Sequence, residues 1–204
     1  MARYILIPIA AGALLMAIAI LADLYANPIM SIAILGAAIT LVSYLEHRVV
    51  TKMYYMDYLK RVEKKIPDAP SGRPYFFVES RRVYIAIPTW GGVATLDAPL
   101  PPRFIKPRKK TLEESLQAAL STVGKDIEMY NWGNTVVIKM RHLGIETPPK
   151  FRQTIGTLEA AMAAAIIATI TGQPTQIEHD EEEREAENIT TRKIVIKTSP
   201  SSQH

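Results

Sequence analysis

The chain has 204 residues, no cysteine and a net charge of +4. The missing thiols exclude disulfides, thiolate zinc sites, iron–sulfur clusters and cysteine nucleophiles. Charge is unevenly placed: fourteen Lys/Arg face five Asp/Glu from Arg48 to Lys110, and nine face thirteen from Thr111 to His204.

Apolar residues concentrate at the N-terminus. Ile5 to Ala22 and Leu24 to Leu45 contain no charged residue, and each run approaches the roughly 20 apolar residues that cross a bilayer. Asn27 suits an N-cap and Pro28 a first helical position. The pattern predicts a two-helix transmembrane hairpin over residues 1–46, with helices at Tyr4–Ala22 and Pro28–Glu46 and the lipid bilayer as partner. Ala17-Ile18-Ala19 offers an alternative reading as a signal-peptide cleavage site, although the apolar run continues past it. Arg3 precedes the first helix, and Arg48, Lys52, Lys60, Arg61, Lys64 and Lys65 follow the second. The positive-inside rule then places both termini in the cytoplasm of a cell-membrane protein, where the Asn188-Ile189-Thr190 sequon is a chance match. Neither run carries an ionisable residue, which argues against transport or intramembrane proteolysis. Small residues at four-residue spacing (Ala13 and Ala17, Ala33 and Ala37, Gly36 and Thr40) suit packing within the hairpin or against a second copy in a homo-oligomer.

From His47 to Lys65, basic residues alternate with Met53, Tyr54, Tyr55, Met56, Tyr58 and Leu59. We expect an amphipathic juxtamembrane helix, then a linker at Pro67–Gly72, so that 47–72 connects the anchor to an α+β domain over 73–198. Tyr75–Val78 and Arg82–Ile87 read as a hairpin turning at Glu79–Arg81. Trp90-Gly91-Gly92 is a turn and Val93–Leu96 a short strand. A proline-rich basic connector covers Ala98–Lys110. Thr111 and Glu114 make a capping box for a helix predicted over Thr111–Tyr130, with Leu112, Leu116, Leu120, Val123 and Ile127 on one face. Thr135–Met140 reads as a strand. Gln153–Thr171 reads as a helix ended by Gly172 and Pro174, apolar nearly all round and so buried on several sides. A subunit interface or membrane insertion are its alternative readings. Thr175–Glu178 and Ile189–Thr198 read as strands joined by an acidic loop, Asp180–Glu187, and 199–204 as a disordered tail. The expected fold is a membrane-anchored α+β protein, with a soluble mixed β-sheet domain and two packed helices behind the transmembrane hairpin.

No short motif for a nucleotide, dinucleotide or nucleophile elbow occurs, so no cofactor is implied. None of His47, His142, His179 and His204 stands at zinc-ligand spacing with another. His179-Asp180-Glu181-Glu182-Glu183 is the densest set of hard-cation donors, but it lacks the glycine turn and alternating spacing of a calcium loop. Arg103, Lys106, Arg108, Lys109 and Lys110 sit on the extended proline-rich connector. They suit anionic lipid headgroups, a protein partner or nucleic acid phosphates, or are simply solvated.

The sequence therefore points to a membrane-tethered interaction or accessory protein with a protein partner. A motif-poor membrane-bound enzyme using Asp97, His142 and Glu146 is the first alternative. A membrane-associated nucleic-acid-binding protein is the second, and the acidic distal half counts against it.

Overall fold

The computed structural model describes residues 12–14, 16–18, 20, 36–37, 39–40, 49–101, 111–142, 145–186 and 189–199. The chain divides into two compact units, Met1–Tyr55 and Met56–His204.

In the first unit the expected transmembrane hairpin is corrected. An apolar run licenses a span only within one continuous helix of about 20 residues. Among the described residues no helix is long and apolar enough to cross a membrane. Most of Tyr4–Ala22 and Pro28–Glu46 lies outside the described residues. The two-helix multi-pass placement in the cell membrane, with its orientation, falls with the hairpin.

The second unit begins within helix α1 (Thr51–Glu63). Tyr58, Leu59, Val62 and the following Ile66 are buried, and their three- and four-residue spacing puts them on one helical face. The Tyr58 hydroxyl donates to the Asp97 carbonyl at 2.7 Å, and its ring packs edge-on to Phe151 with centroids 6.4 Å apart. The stretch after α1 is pinned to the domain. Lys150 Nζ reaches Asp68 at 2.6 Å, the Ser71 amide donates to the Pro88 carbonyl, and Pro70 bridges Thr89.

Seven strands follow: β1 (Tyr75–Glu79), β2 (Arg82–Thr89), β3 (Gly92–Asp97), β4 (Gly124–Trp132), β5 (Thr135–His142), β6 (Thr175–Ala186) and β7 (Ile189–Thr198). They form one sheet in the order β3-β2-β1-β6-β7-β5-β4. Every pairing is antiparallel, which corrects the expected mixed sheet. Four neighbouring pairs are hairpins or meander steps, and these run antiparallel by construction. The two helical connections carry the chain across the sheet to positions where it also returns antiparallel. Helix α2 (Leu112–Leu120) links edge strand β3 to the opposite edge strand β4. Helices α3 (Pro149–Thr154) and α4 (Leu158–Thr171) bring the chain back to β6.

Two other expectations change. The capping box forms: Thr111 Oγ1 accepts from the Glu114 amide at 3.2 Å and Glu114 Oε2 from the Thr111 amide at 3.3 Å. The helix nevertheless stops at Leu120. Ser121 and Thr122 turn their hydroxyls onto the Ala118 and Ala119 carbonyls, competing with further helical bonds. Gly124 then opens β4, where half-buried Ile127 and Met129 alternate with exposed Glu128 and Tyr130. The acidic loop is also absent, because residues 180–186 extend β6 against the basic strand β7.

The helix expected over Gln153–Thr171 breaks at Gly156, whose φ of +114° disfavours any side chain. Beyond the break, α4 is capped by Thr157 and ends on Gly172 in the left-handed region at φ +71°. Leu158 through Ala168 is buried, with α2 on one side and β1, β2, β6 and β7 on the other. Phe76, Ile85, Ile138, Ile194 and Ile196 rise from the sheet into the same core. Each such side chain contributes about 1.5–3 kcal/mol on burial, so these contacts, rather than helix propensity, hold α4 in place.

Candidate interaction surface

Alternation along the strands separates two faces of the sheet. Arg192, Ile194, Ile196 and Thr198 of β7 are buried under the helices, while Lys193 and Val195 are half-buried and Lys197 is exposed on the outer face. Register carries that assignment across the sheet, because directly paired residues share a face. Three outer rows result: Trp132–Thr135–Lys197–Gln176, Tyr130–Val137–Val195–His179 and Glu128–Lys139–Lys193–Glu181.

Opposite charges alternate on this face. Glu183 lies 3.6 Å from Lys139 and 3.4 Å from Lys193, and Glu178 lies 3.5 Å from Lys197. The acidic run of β6 is thus interleaved with the lysines of β5 and β7. Among the described residues no group of three His, Asp or Glu side chains is arranged to hold a metal ion. Towards the β3 side, Tyr75, Phe77 and Tyr84 form an aromatic row with centroid separations of 5.9 and 5.7 Å.

Beneath β6 and β7 the inner face holds an ion network built around the buried Arg192 and Asp180 side chains. Arg192 meets Asp180 at 2.9 Å and also contacts Glu182, and Arg152 lies 3.7 Å from Glu182. The second Asp180 oxygen accepts from the Thr157 amide at 2.6 Å. The Leu158 amide donates to Thr147 Oγ1, and the Ala160 amide to Thr157 Oγ1. The protein's own oxygens thus occupy the Thr157, Leu158 and Ala160 amides, donors of the α4 N-terminus that would otherwise be open to an anion.

The outermost strand β4 is different. Tyr130 and Trp132 stack with centroids 6.2 Å apart, and they are 45% and 67% exposed. They lead into a two-residue turn at Gly133-Asn134, with Gly133 at φ +64°. The Tyr130 hydroxyl donates to Glu128 Oε2 at 3.3 Å. At the far end of β4, Asp126 at φ +49° forms a bulge in which Asp126 and Ile127 oppose Met140, and Asp126 lies 3.4 Å from Arg141. Edge strands are usually blunted by charge, proline or bulges. In β4 the bulge and charges guard one end, and aromatic side chains mark the other.

Asp97 and His142 are not brought together. Asp97 ends edge strand β3, and His142 ends β5 in register with Gly124. Four strands lie between β3 and β5, a separation of about 24 Å at roughly 4.8 Å per strand. Glu146 is exposed on the connection to α3. The five connector cations Arg103, Lys106, Arg108, Lys109 and Lys110 lie outside the described residues. Sequence reasoning missed Tyr130 and Trp132 by assigning them to a helix end and a turn. Their alternation with Glu128 ahead of Gly133-Asn134 was the available hairpin signal. Comparisons with family models, curated proteins and solved structures find no match for this chain.

Proposed function

We propose that the second unit is a protein-interaction module that takes up an extended segment of a partner polypeptide as an additional strand against β4. The observation that carries this reading is the exposed Tyr130–Trp132 stack on the outermost strand. Strand addition draws affinity from main-chain hydrogen bonds at an open edge and specificity from alternate side chains. Tyr and Trp are the residues that most often anchor such contacts, since each offers a large apolar area with few rotatable bonds. The separation of Asp97 from His142 weighs against the catalytic alternative as first drawn. The paired carboxylates on the outer face weaken the nucleic-acid alternative, because phosphates there would meet Glu178, Glu181 and Glu183 as well as lysines.

The test compares the tagged full chain with two variants. Tyr130→Thr/Trp132→Thr removes the aromatic anchors while keeping strand-compatible residues, and Trp90→Thr alters the 88% exposed indole in the β2–β3 turn at the other edge. Proteins recovered by both the parent chain and Trp90→Thr should be lost from the double variant. Equal recovery by all three chains would defeat the reading.

A further inference from the structure

We infer that the segment recognised by β4 carries, from its N- to its C-terminal end, an alternating pattern of apolar, any, apolar, any, basic. This rests on the strand-addition reading of β4 and specifies the chemistry of what is added. Lys125, Glu128, Tyr130 and Trp132 share the outer face, through their pairing with Arg141, Lys139, Val137 and Thr135. The Asp126 bulge interrupts the regular edge, so an added strand has residues 127–132 to run along. In an antiparallel addition, directly opposed side chains lie about 4.5–5.5 Å apart on the same face. Such a strand meets Trp132 first, then Tyr130, then Glu128. Two exposed rings favour apolar side chains opposite them, and the Glu128 carboxylate favours Lys or Arg. Asp126, beyond the bulge, has Arg141 at 3.4 Å, and Lys139, which stands opposite Glu128 in register, is drawn to Glu183 at 3.6 Å, so the demand for a further cation falls at Glu128.

A second copy of this chain fits less well. Two β4 strands related by a twofold axis can extend one sheet only with the axis on a residue, since opposed residues must share a face. Centring on Met129 sets Glu128 against tyrosine, and centring on Tyr130 sets it against tryptophan. Centring on Glu128 apposes two carboxylates, and centring on Ile127 sets Glu128 against Asp126. Along the regular stretch 127–132, which the bulge bounds, no such register gives Glu128 a cation. A different polypeptide that supplies one is the complementary occupant.

The chain has two tryptophans, so Trp90→Phe leaves Trp132 as the single indole reporter. This full-length variant is titrated with a synthetic peptide containing Val-Thr-Ile-Thr-Lys and with its Val-Thr-Ile-Thr-Glu counterpart. The lysine peptide should shift Trp132 emission and bind roughly fivefold more tightly than the glutamate peptide, the size expected for exchanging an attractive cross-strand charge pair for a repulsive one. Glu128→Lys should reverse that order. Equal affinities, unchanged by Glu128→Lys, would overturn the basic position and leave strand addition standing. No response to either peptide at millimolar concentration would overturn strand addition itself. Self-association of the unmodified chain that is lost in Tyr130→Thr/Trp132→Thr would place a second copy on the edge and overturn the proposal. Quenching by oligothymidylate in preference to either peptide would do so in favour of base stacking.

Discussion

Asp180 of β6 holds Arg192 of β7 at 2.9 Å with one carboxylate oxygen, while its other oxygen caps α4 through the Thr157 amide at 2.6 Å. Their side chains are 10% and 3% exposed, so a single carboxylate fastens the strand pair to the start of the core helix. Gly156 makes the approach possible: a Cβ there would lie 3.2 Å from Asp180 Oδ2, on a backbone already at φ +114°.

Removing one member of a buried pair strands the other in a low-dielectric site, and this typically costs about 3–5 kcal/mol. Asp180→Ala should therefore destabilise the fold by about 3 kcal/mol, because it leaves buried Arg192 with only the partly exposed Glu182 carboxylate and also uncaps the Thr157 amide. The Asp180→Ala/Arg192→Met double variant should lose less than the sum of its two single changes, since no unpaired cation remains. Denaturant midpoints of the four proteins form the cycle that checks this. Strictly additive losses would mean that the two side chains are energetically independent.

The β1–β2 hairpin turns through Ser80 and Arg81, at φ +49° and +67°. Both central positions are left-handed, as in the tight turns that match strand twist and favour Asn-Gly. Ser and Arg adopt this region only at a cost. Ser80→Asn/Arg81→Gly should raise stability by about 0.5–1 kcal/mol, seen as a higher melting temperature with unchanged binding at β4. A lower melting temperature would show that the Ser80 or Arg81 side chain contributes more than its backbone strain removes.

This hairpin was legible in the sequence because β-branched and aromatic residues alternate on both sides of a short polar turn. The α4 core was legible for a related reason: an apolar surface all round a helix requires cover on several sides. Two segments were misread because local preference was overruled from elsewhere. Val123 and Ile127 continue the helical spacing begun at Leu112, yet Gly124 and the bonding partners on β5 draw that stretch into β4. The acidic run of β6 resembles a solvated loop until Arg192, Lys193 and Lys139 are placed across from it. Such long-range partners do not appear in a local window. The N-terminal runs show the limit of composition, since apolar content alone does not establish a continuous membrane-crossing helix.

The Asp68–Lys150 pair ties the stretch before β1 to α3. Its hydrogen bond and the ammonium charge hold the Asp68 carboxyl below its ordinary value of 3.8. A depressed folded-state pKa contributes stability that is full above the unfolded value and is lost as pH falls through the folded one. The tie should therefore persist across neutral and mildly acidic pH and loosen only below about 3.8. Because Asp68 is fully exposed, global stability should barely respond to its protonation or to Asp68→Asn. The sensitive readout is amide exchange at Ser71, whose N–H donates to the Pro88 carbonyl. Faster exchange at this amide in Asp68→Asn at neutral pH is expected, and unchanged exchange would show that the Pro70–Thr89 bridge holds the segment unaided.

Glu183 stands between Lys139 and Lys193 at 3.6 and 3.4 Å, with all three side chains 36–41% exposed. Ion pairs at this exposure contribute about 0.2–1 kcal/mol each, and 0.15 M salt confines their reach to about 8 Å. Glu183→Thr should therefore lower stability by no more than about 1 kcal/mol despite two nearby cations, because threonine keeps the strand preference of the position. Asp180→Ala, three residues away on the inner face, should cost several times more. Raising the salt should shrink the Glu183 effect and leave the Asp180 effect nearly unchanged, since solvent ions do not reach the buried pair. Equal salt sensitivity of the two variants would mean that the inner network is open to water, and that the outer lattice and the buried cluster hold β6 to β7 in the same way.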